Sequence, residues 1–125
     1  LASPVIIQLL QKFRQPFNVN SMAQYAALAA LSDDEHVKAT VELVEKGLSY
    51  FYEHCAKNSF ETVKSNANFL LIKTGSSRRV FEKLQQEGII VRPMDVYGLP
   101  DYIRVSIGLA SENEKCMQAL IRVCR

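Results

Sequence analysis

Apolar positions Val5, Ile6, Leu9, Leu10 and Phe13 recur at three-to-four spacing and predict one face of a helix. Ser3 supplies a cap, and Pro4 suits the first helical position. Pro16 ends the pattern, because proline lacks an N–H and clashes with the preceding turn. Residues 15–20 read as an extended link. An Ala-rich helix is expected from Ser21, as its cap, to Leu31. Ser32, Asp33, Asp34 and Glu35 then offer a cap and first-turn acids that suit a helix dipole. The long helix that follows carries Val37, Val41, Val44, Leu48, Phe51 and Cys55 on one stripe.

Beyond residue 57 the pattern alternates strand and helix. A short edge strand is expected at 61–64 and a mostly buried strand at 68–73. A helix through Glu87 buries Val80, Phe81 and Leu84, and Gly88 stops it. Ile89 to Arg92 reads as a third strand, and Pro93 to Asp101 as a loop. A fourth strand runs from Tyr102 to Ile107. The last helix is expected to be capped by Ser111 with Glu114 as its reciprocal partner, burying Met117, Leu120, Ile121 and Cys124. The sum is an α+β chain: a small, mainly antiparallel sheet of three to four strands, covered on one face by helices, with a long helix leading in. No internal repeat or long flexible linker divides it, so residues 1–125 read as a single domain.

Composition narrows the function classes. The chain has 125 residues, 48% hydrophobic and 22% charged, as soluble globular domains do. Net charge is +2 with no basic run, which argues against a nucleic-acid surface. No apolar stretch approaches the roughly 20 residues of a membrane helix. Cys55, Cys116 and Cys124 are odd in number and widely spaced, so reduced thiols in a cytosolic protein are expected, not a disulfide framework or zinc site. No Gly-rich phosphate loop, G-x-S-x-G, H-E-x-x-H or C-x-x-C occurs. His36 and His54 read as solvated helix residues, and the acidic pairs at helix starts as dipole partners. Arg78 and Arg79 stand at a helix start, where positive charge is disfavoured; they read as an exposed face, with an anion or a partner opposite one of them as the alternative.

Alternation along the fourth strand turns Ile103, Val105 and Ile107 toward the helices and Tyr102, Arg104 and Ser106 to the opposite face. There Arg104 either pairs with a neighbouring acid, or lies on a solvated sheet face, or binds a carboxylate through two parallel hydrogen bonds. Arg92, at the end of the preceding strand, either lies on the surface or meets an anion. Two arginines flanking one loop suggest a ligand with two anionic ends.

The ordered segments Gly88-Ile89-Ile90-Val91-Arg92-Pro93-Met94 and Tyr97-Gly98-Leu99-Pro100-Asp101-Tyr102-Ile103-Arg104-Val105-Ser106-Ile107-Gly108 resemble the C-terminal signature of histidinol-phosphate aminotransferases, fold-type-I enzymes that use pyridoxal phosphate. Ala2-Ser3-Pro4, Arg14-Gln15-Pro16-Phe17-Asn18-Val19-Asn20, Ala67 to Leu71 and Ser111 to Glu114 are similar as well. The resemblance implies that Arg104 binds the substrate α-carboxylate and that Arg92 helps hold the substrate phosphate. It implies transamination between L-histidinol phosphate and 2-oxoglutarate, paired with glutamate, in a cytoplasmic homodimer. The family's cofactor lysine follows a serine, and no Ser-Lys pair exists here. The chain is therefore expected to be the C-terminal small domain of a longer enzyme, as its start at Leu1 also suggests, with residues 1–20 as inter-domain helix and linker and a large domain of the same protein as partner. Alone it is expected to be inactive, with no catalytic, cofactor-binding or metal-ligating residue of its own. The rivals are an aromatic amino-acid aminotransferase or related decarboxylase, and a stand-alone regulatory module that binds a small molecule.

Overall fold

The computed structural model describes residues 2–14, 17 and 19–124. They fall into two compact units, residues 1–37 and 38–125. In the first, α1 (Pro4–Phe13) begins as its sequence predicts, with the Ser3 hydroxyl accepting from the Ile6 N–H at 3.4 Å. Arg14 is already extended, and the predicted break at Pro16 lies outside the described residues. Helix α2 (Ser21–Ala30) is capped by Asn20, whose carboxamide oxygen accepts from the Ala23 N–H at 2.8 Å. Ser21 is thus the first helical residue and not the cap. Neither helix buries a side chain.

Helix α3 (Asp34–Lys57) is capped by Asp33, whose carboxylate accepts from the His36 N–H at 3.0 Å. Its predicted stripe is buried only in its C-terminal half: Leu48, Phe51 and Cys55 are covered, Val44 is half-buried, and Val37 and Val41 are exposed. The remaining elements are β1 (Thr62–Val63), β2 (Phe69–Lys73), α4 (Ser77–Gln86), β3 (Arg92–Pro93), β4 (Tyr102–Ser106) and α5 (Ala110–Cys124). The sheet order is β1-β2-β4-β3, antiparallel throughout. β2 and β3 run the same way with β4 between them, a split β-α-β unit closed by α4. One face of the sheet, through Leu70, Ile72, Ile103 and Val105, packs with Phe51, Val80, Leu84, Met117 and Leu120 of the helices. The opposite face carries Phe69, Leu71, Lys73, Tyr102, Arg104 and Ser106.

Two boundaries differ from the sequence pattern for local reasons. The predicted strand 89–92 pairs only at Arg92 and Pro93. Gly88, at φ 75°, ends α4 in a Schellman turn: its N–H donates to the Gln85 carbonyl, and the Ile89 N–H to Leu84 at 2.9 Å. Ile89 is thereby committed to the helix end and cannot enter the ladder. The last helix starts at Ala110, before Ser111. Glu112, not Glu114, reaches back to accept from the Leu109 N–H at 2.8 Å. Ahead of it, the buried Asn113 carboxamide holds both the N–H and the carbonyl of Gly108, at 2.9 and 3.0 Å.

That clamp explains Gly47 on α3. A Cβ there would lie 2.3 Å from Ile107 Cγ2 and 3.0 Å from Asn113 Nδ2. The first is a methyl on a branched carbon, and the second is locked by its bonds to Gly108, so neither yields cheaply. Gly47→Ala is expected to destabilise this unit by about 1–3 kcal/mol, as overpacking does. Urea titration with pulsed alkylation of Cys55 and Cys116, read peptide by peptide, measures the loss; an unchanged midpoint would show that the helix simply shifts.

The same thiols are free, and burial pushes both up to about 11. Desolvation disfavours the thiolate, so the neutral form is favoured in the folded state. The stability this reflects is complete below the ordinary thiol range and is lost as pH rises toward 11. Near neutrality neither is a reactive thiolate.

Candidate anion-binding site

The open face of the sheet concentrates positive charge. Register places Arg92 of β3 directly opposite Arg104 of β4, which sets their Cβ atoms roughly 5 Å apart. Like charges so placed repel. Among the described residues no carboxylate forms an ion pair with either guanidinium. The alternative reading of Arg104, as partner of a neighbouring acid, is therefore not what the fold builds.

Each arginine is held by an aromatic side chain. The Arg104 guanidinium lies over the Phe69 ring, 5.0 Å from its centroid, in a cation–π contact that fixes its plane without neutralising it. Its Nε–H is buried and has no hydrogen-bond partner. A buried donor left unpaired is costly, above all on a charged group. Arg92 Nη1 donates to the Tyr97 hydroxyl at 3.4 Å. Tyr97 ends a 3-10 turn, Asp95–Tyr97, that Gly98 closes at φ 76°, a backbone geometry that favours glycine.

The two arginines line one shallow recess of about 220 Å³ with Ile90, Val91 and Ser106. It opens where Ile89 to Val91 part from β4 before pairing begins. The register brings both guanidinium groups to one recess. The arrangement suits a single phosphate or carboxylate, taken by charge-assisted hydrogen bonds.

Other candidates take plain structural roles. His54 stacks on Tyr50, with ring centroids 4.2 Å apart, and His36 is exposed. The Asn68 carbonyl accepts from the Ile107 N–H at 2.9 Å, continuing the sheet beyond β2. Arg78, disfavoured at a helix start, pairs with Asp95 at 2.7 Å. The hydrogen bond from Arg78 draws the Asp95 carboxyl below its ordinary range. Phe69 and Tyr97 were not assignable from sequence. Alternation places Phe69 on the open face, but only the pairing of Phe69 with Ser106 brings it beside Arg104.

The profile of the aminotransferase class I and II family matches residues 1–122. The chain belongs to this family. Among curated aminotransferases it is similar to the histidinol-phosphate aminotransferase of Akkermansia muciniphila, at 42% identity over 98% of this chain and 34% of that protein. The enzyme of the same name from Caldicellulosiruptor saccharolyticus is 44% identical over 98% of this chain and 35% of its own length. The chain thus spans about a third of the curated aminotransferases it matches. A crystal structure of the Sinorhizobium meliloti histidinol-phosphate aminotransferase in complex with pyridoxal-5'-phosphate aligns over 100% of this chain and 35% of its own, with TM-score 0.78 and 25% identity. That of the Clostridium acetobutylicum enzyme aligns over 89% of this chain with TM-score 0.75 and 26% identity.

These aminotransferases imply pyridoxal phosphate, and Lys73, the lysine on the open face, does not fit the role of its anchor. An aldehyde cofactor is anchored by a lysine that offers a neutral amine. Lys73 donates to Glu61 at 2.9 Å, and that hydrogen bond raises its pKa, holding it charged.

Proposed function

We propose that this chain is the C-terminal small domain of a histidinol-phosphate aminotransferase, and that Arg104 and Arg92 form its substrate-anion site. The reaction is amino transfer between L-histidinol phosphate and 2-oxoglutarate. The observation that carries the site is the cross-strand pair of unneutralised arginines, with the buried, unpartnered Nε–H of Arg104. The relatives' names support the substrate.

Histidinol phosphate bears a phosphate ester where an amino acid bears its α-carboxylate. One recess then serves both halves of the exchange. Arg104 takes the carboxylate of glutamate or 2-oxoglutarate, and Arg104 with Arg92 takes the phosphate. Held by an anion next to the reacting carbon, the substrate keeps its Cα–H bond in one orientation. The large domain of the same protein supplies the lysine and the pyridoxal phosphate, which provides the electron sink. Residues 1–20 serve as inter-domain helix and linker. The whole enzyme works as a cytoplasmic homodimer, and this segment alone is inactive.

The deciding experiment gives the full-length enzyme competing amino donors. Histidinol phosphate is expected to exceed phenylalanine in kcat/KM by about tenfold or more, the value of one charge-assisted contact. A better rate with phenylalanine would replace the substrate assignment with an aromatic amino-acid one.

A further inference from the structure

The loop that carries Tyr97 is pinned to the start of α4 along two limbs. Its C-terminal limb is tied through the backbone: the Thr74 N–H donates to the Asp101 carbonyl at 2.7 Å and the Ser77 N–H to Pro100 at 2.8 Å. Its N-terminal limb, which holds the 3-10 turn, has one tie to that helix among the described side chains, the Arg78–Asp95 ion pair at 2.7 Å. The Asp95 carbonyl also accepts from the Gly98 N–H at 3.0 Å, so Asp95 anchors both ends of the turn that presents Tyr97. Tyr97 in turn holds Arg92. A chain of polar contacts therefore runs from α4 through Asp95 and the turn to the guanidinium of the recess.

We propose that Arg78 and Asp95 are positioning residues that set the Tyr97–Arg92 arm of the recess for a phosphate-bearing substrate. The inference rests on the proposed function for the identity of that substrate. Three observations favour positioning over stabilisation. The Arg78 side chain is 55% exposed, and ion pairs so exposed contribute little to stability. An arginine in the first turn of a helix works against the dipole, so its presence calls for a local partner. That partner lies in the turn next to the recess and not along the helix. Arg104, held from β2 by Phe69, does not depend on this arm. The pair should thus affect phosphate more than carboxylate.

The test compares Arg78→Leu, Asp95→Asn, Arg78→Lys and the charge swap R78D/D95R with the parent in the full-length enzyme, with Arg92→Leu as reference. Arg78→Leu and Asp95→Asn are expected to raise KM for histidinol phosphate about three- to tenfold, with kcat and KM for glutamate within about twofold, the range of couplings between contacting residues. Arg78→Lys and the swap are expected to restore most of the loss. Unchanged KM in both single variants, beside a raised KM in Arg92→Leu, would overturn the inference. So would a parallel fall of kcat, both KM values and thermal midpoint, which marks a structural role. If the parent fails to use histidinol phosphate, the functional reading falls. Titration of the same proteins with inorganic phosphate then decides the positioning: a Kd weakened about threefold or more in both single variants upholds it, and an unchanged Kd or no phosphate binding by the parent overturns it.

Discussion

Replacing Arg104 by leucine in the full-length enzyme is expected to lower kcat/KM for histidinol phosphate by about 10²- to 10³-fold. Two charge-assisted hydrogen bonds at about 1.5–3 kcal/mol each would allow about 10²- to 10⁴-fold, since each 1.4 kcal/mol is tenfold, and the expected loss sits in the lower half of that range because water enters the open recess. The guanidinium makes no ion pair with a described carboxylate and leaves its buried Nε–H unpaired, so its removal breaks no ion pair within the fold. The loss should fall on both halves of the exchange, because one recess takes either anion. Arg104→Lys should recover only part of the activity, since an ammonium keeps the charge but loses the planar fork. Steady-state kinetics with each substrate varied separately measure both. A variant that loses activity only with glutamate would show that the phosphate is held elsewhere.

Phe51→Ala is expected to destabilise residues 38–125 by about 3–5 kcal/mol. Phe51 is fully buried at the centre of the α3 contribution to the core, edge-on to Tyr50 at 5.8 Å. Domains are stable by only about 5–15 kcal/mol, so one such cavity removes a large share. With a urea slope of about 1–2 kcal/mol per molar, the midpoint should fall by roughly 1.5 M or more. Cys55 and Cys116 belong to the same core and report its opening by alkylation even when the rest of the enzyme unfolds separately. Val41→Ala, at a half-exposed position of the same helix, is the control and should stay within about 0.5 kcal/mol. Equal effects at the two positions would mean that the apolar stripe of α3 is buried along its whole length in the enzyme.

Most elements were legible in the residues because local rules govern them. The alternation of Leu70 and Ile72, and of Ile103 and Val105, marks β2 and β4, whose inner faces the structure buries completely or nearly so. Ser3 before Pro4 and Gly88 after α4 mark helix ends through capping chemistry that needs no tertiary partner. The misreadings arose where two local rules competed. Ile89 to Val91 carry a strand pattern, but the N–H of Ile89 closes the end of α4. Ser111 looks like a cap, but Glu112 reaches the Leu109 N–H first. Val41 continues the stripe of α3 yet stays half-exposed, since periodicity states which face is apolar and not where its cover ends.

The candidate site divides in the same way. Residue order alone determined that Arg104 stands on the face turned from the helices, because side chains alternate along any strand. It also determined that this segment has no Ser-Lys pair. Only the tertiary structure decided that Arg92 faces Arg104, that Phe69 lies under one guanidinium and Tyr97 beside the other, and that Arg78 reaches Asp95. Those contacts join residues 5 to 35 positions apart along the chain, through strand register and the docking of a loop on a helix. Register is set by the summed packing of the whole sheet, which no short stretch of sequence contains.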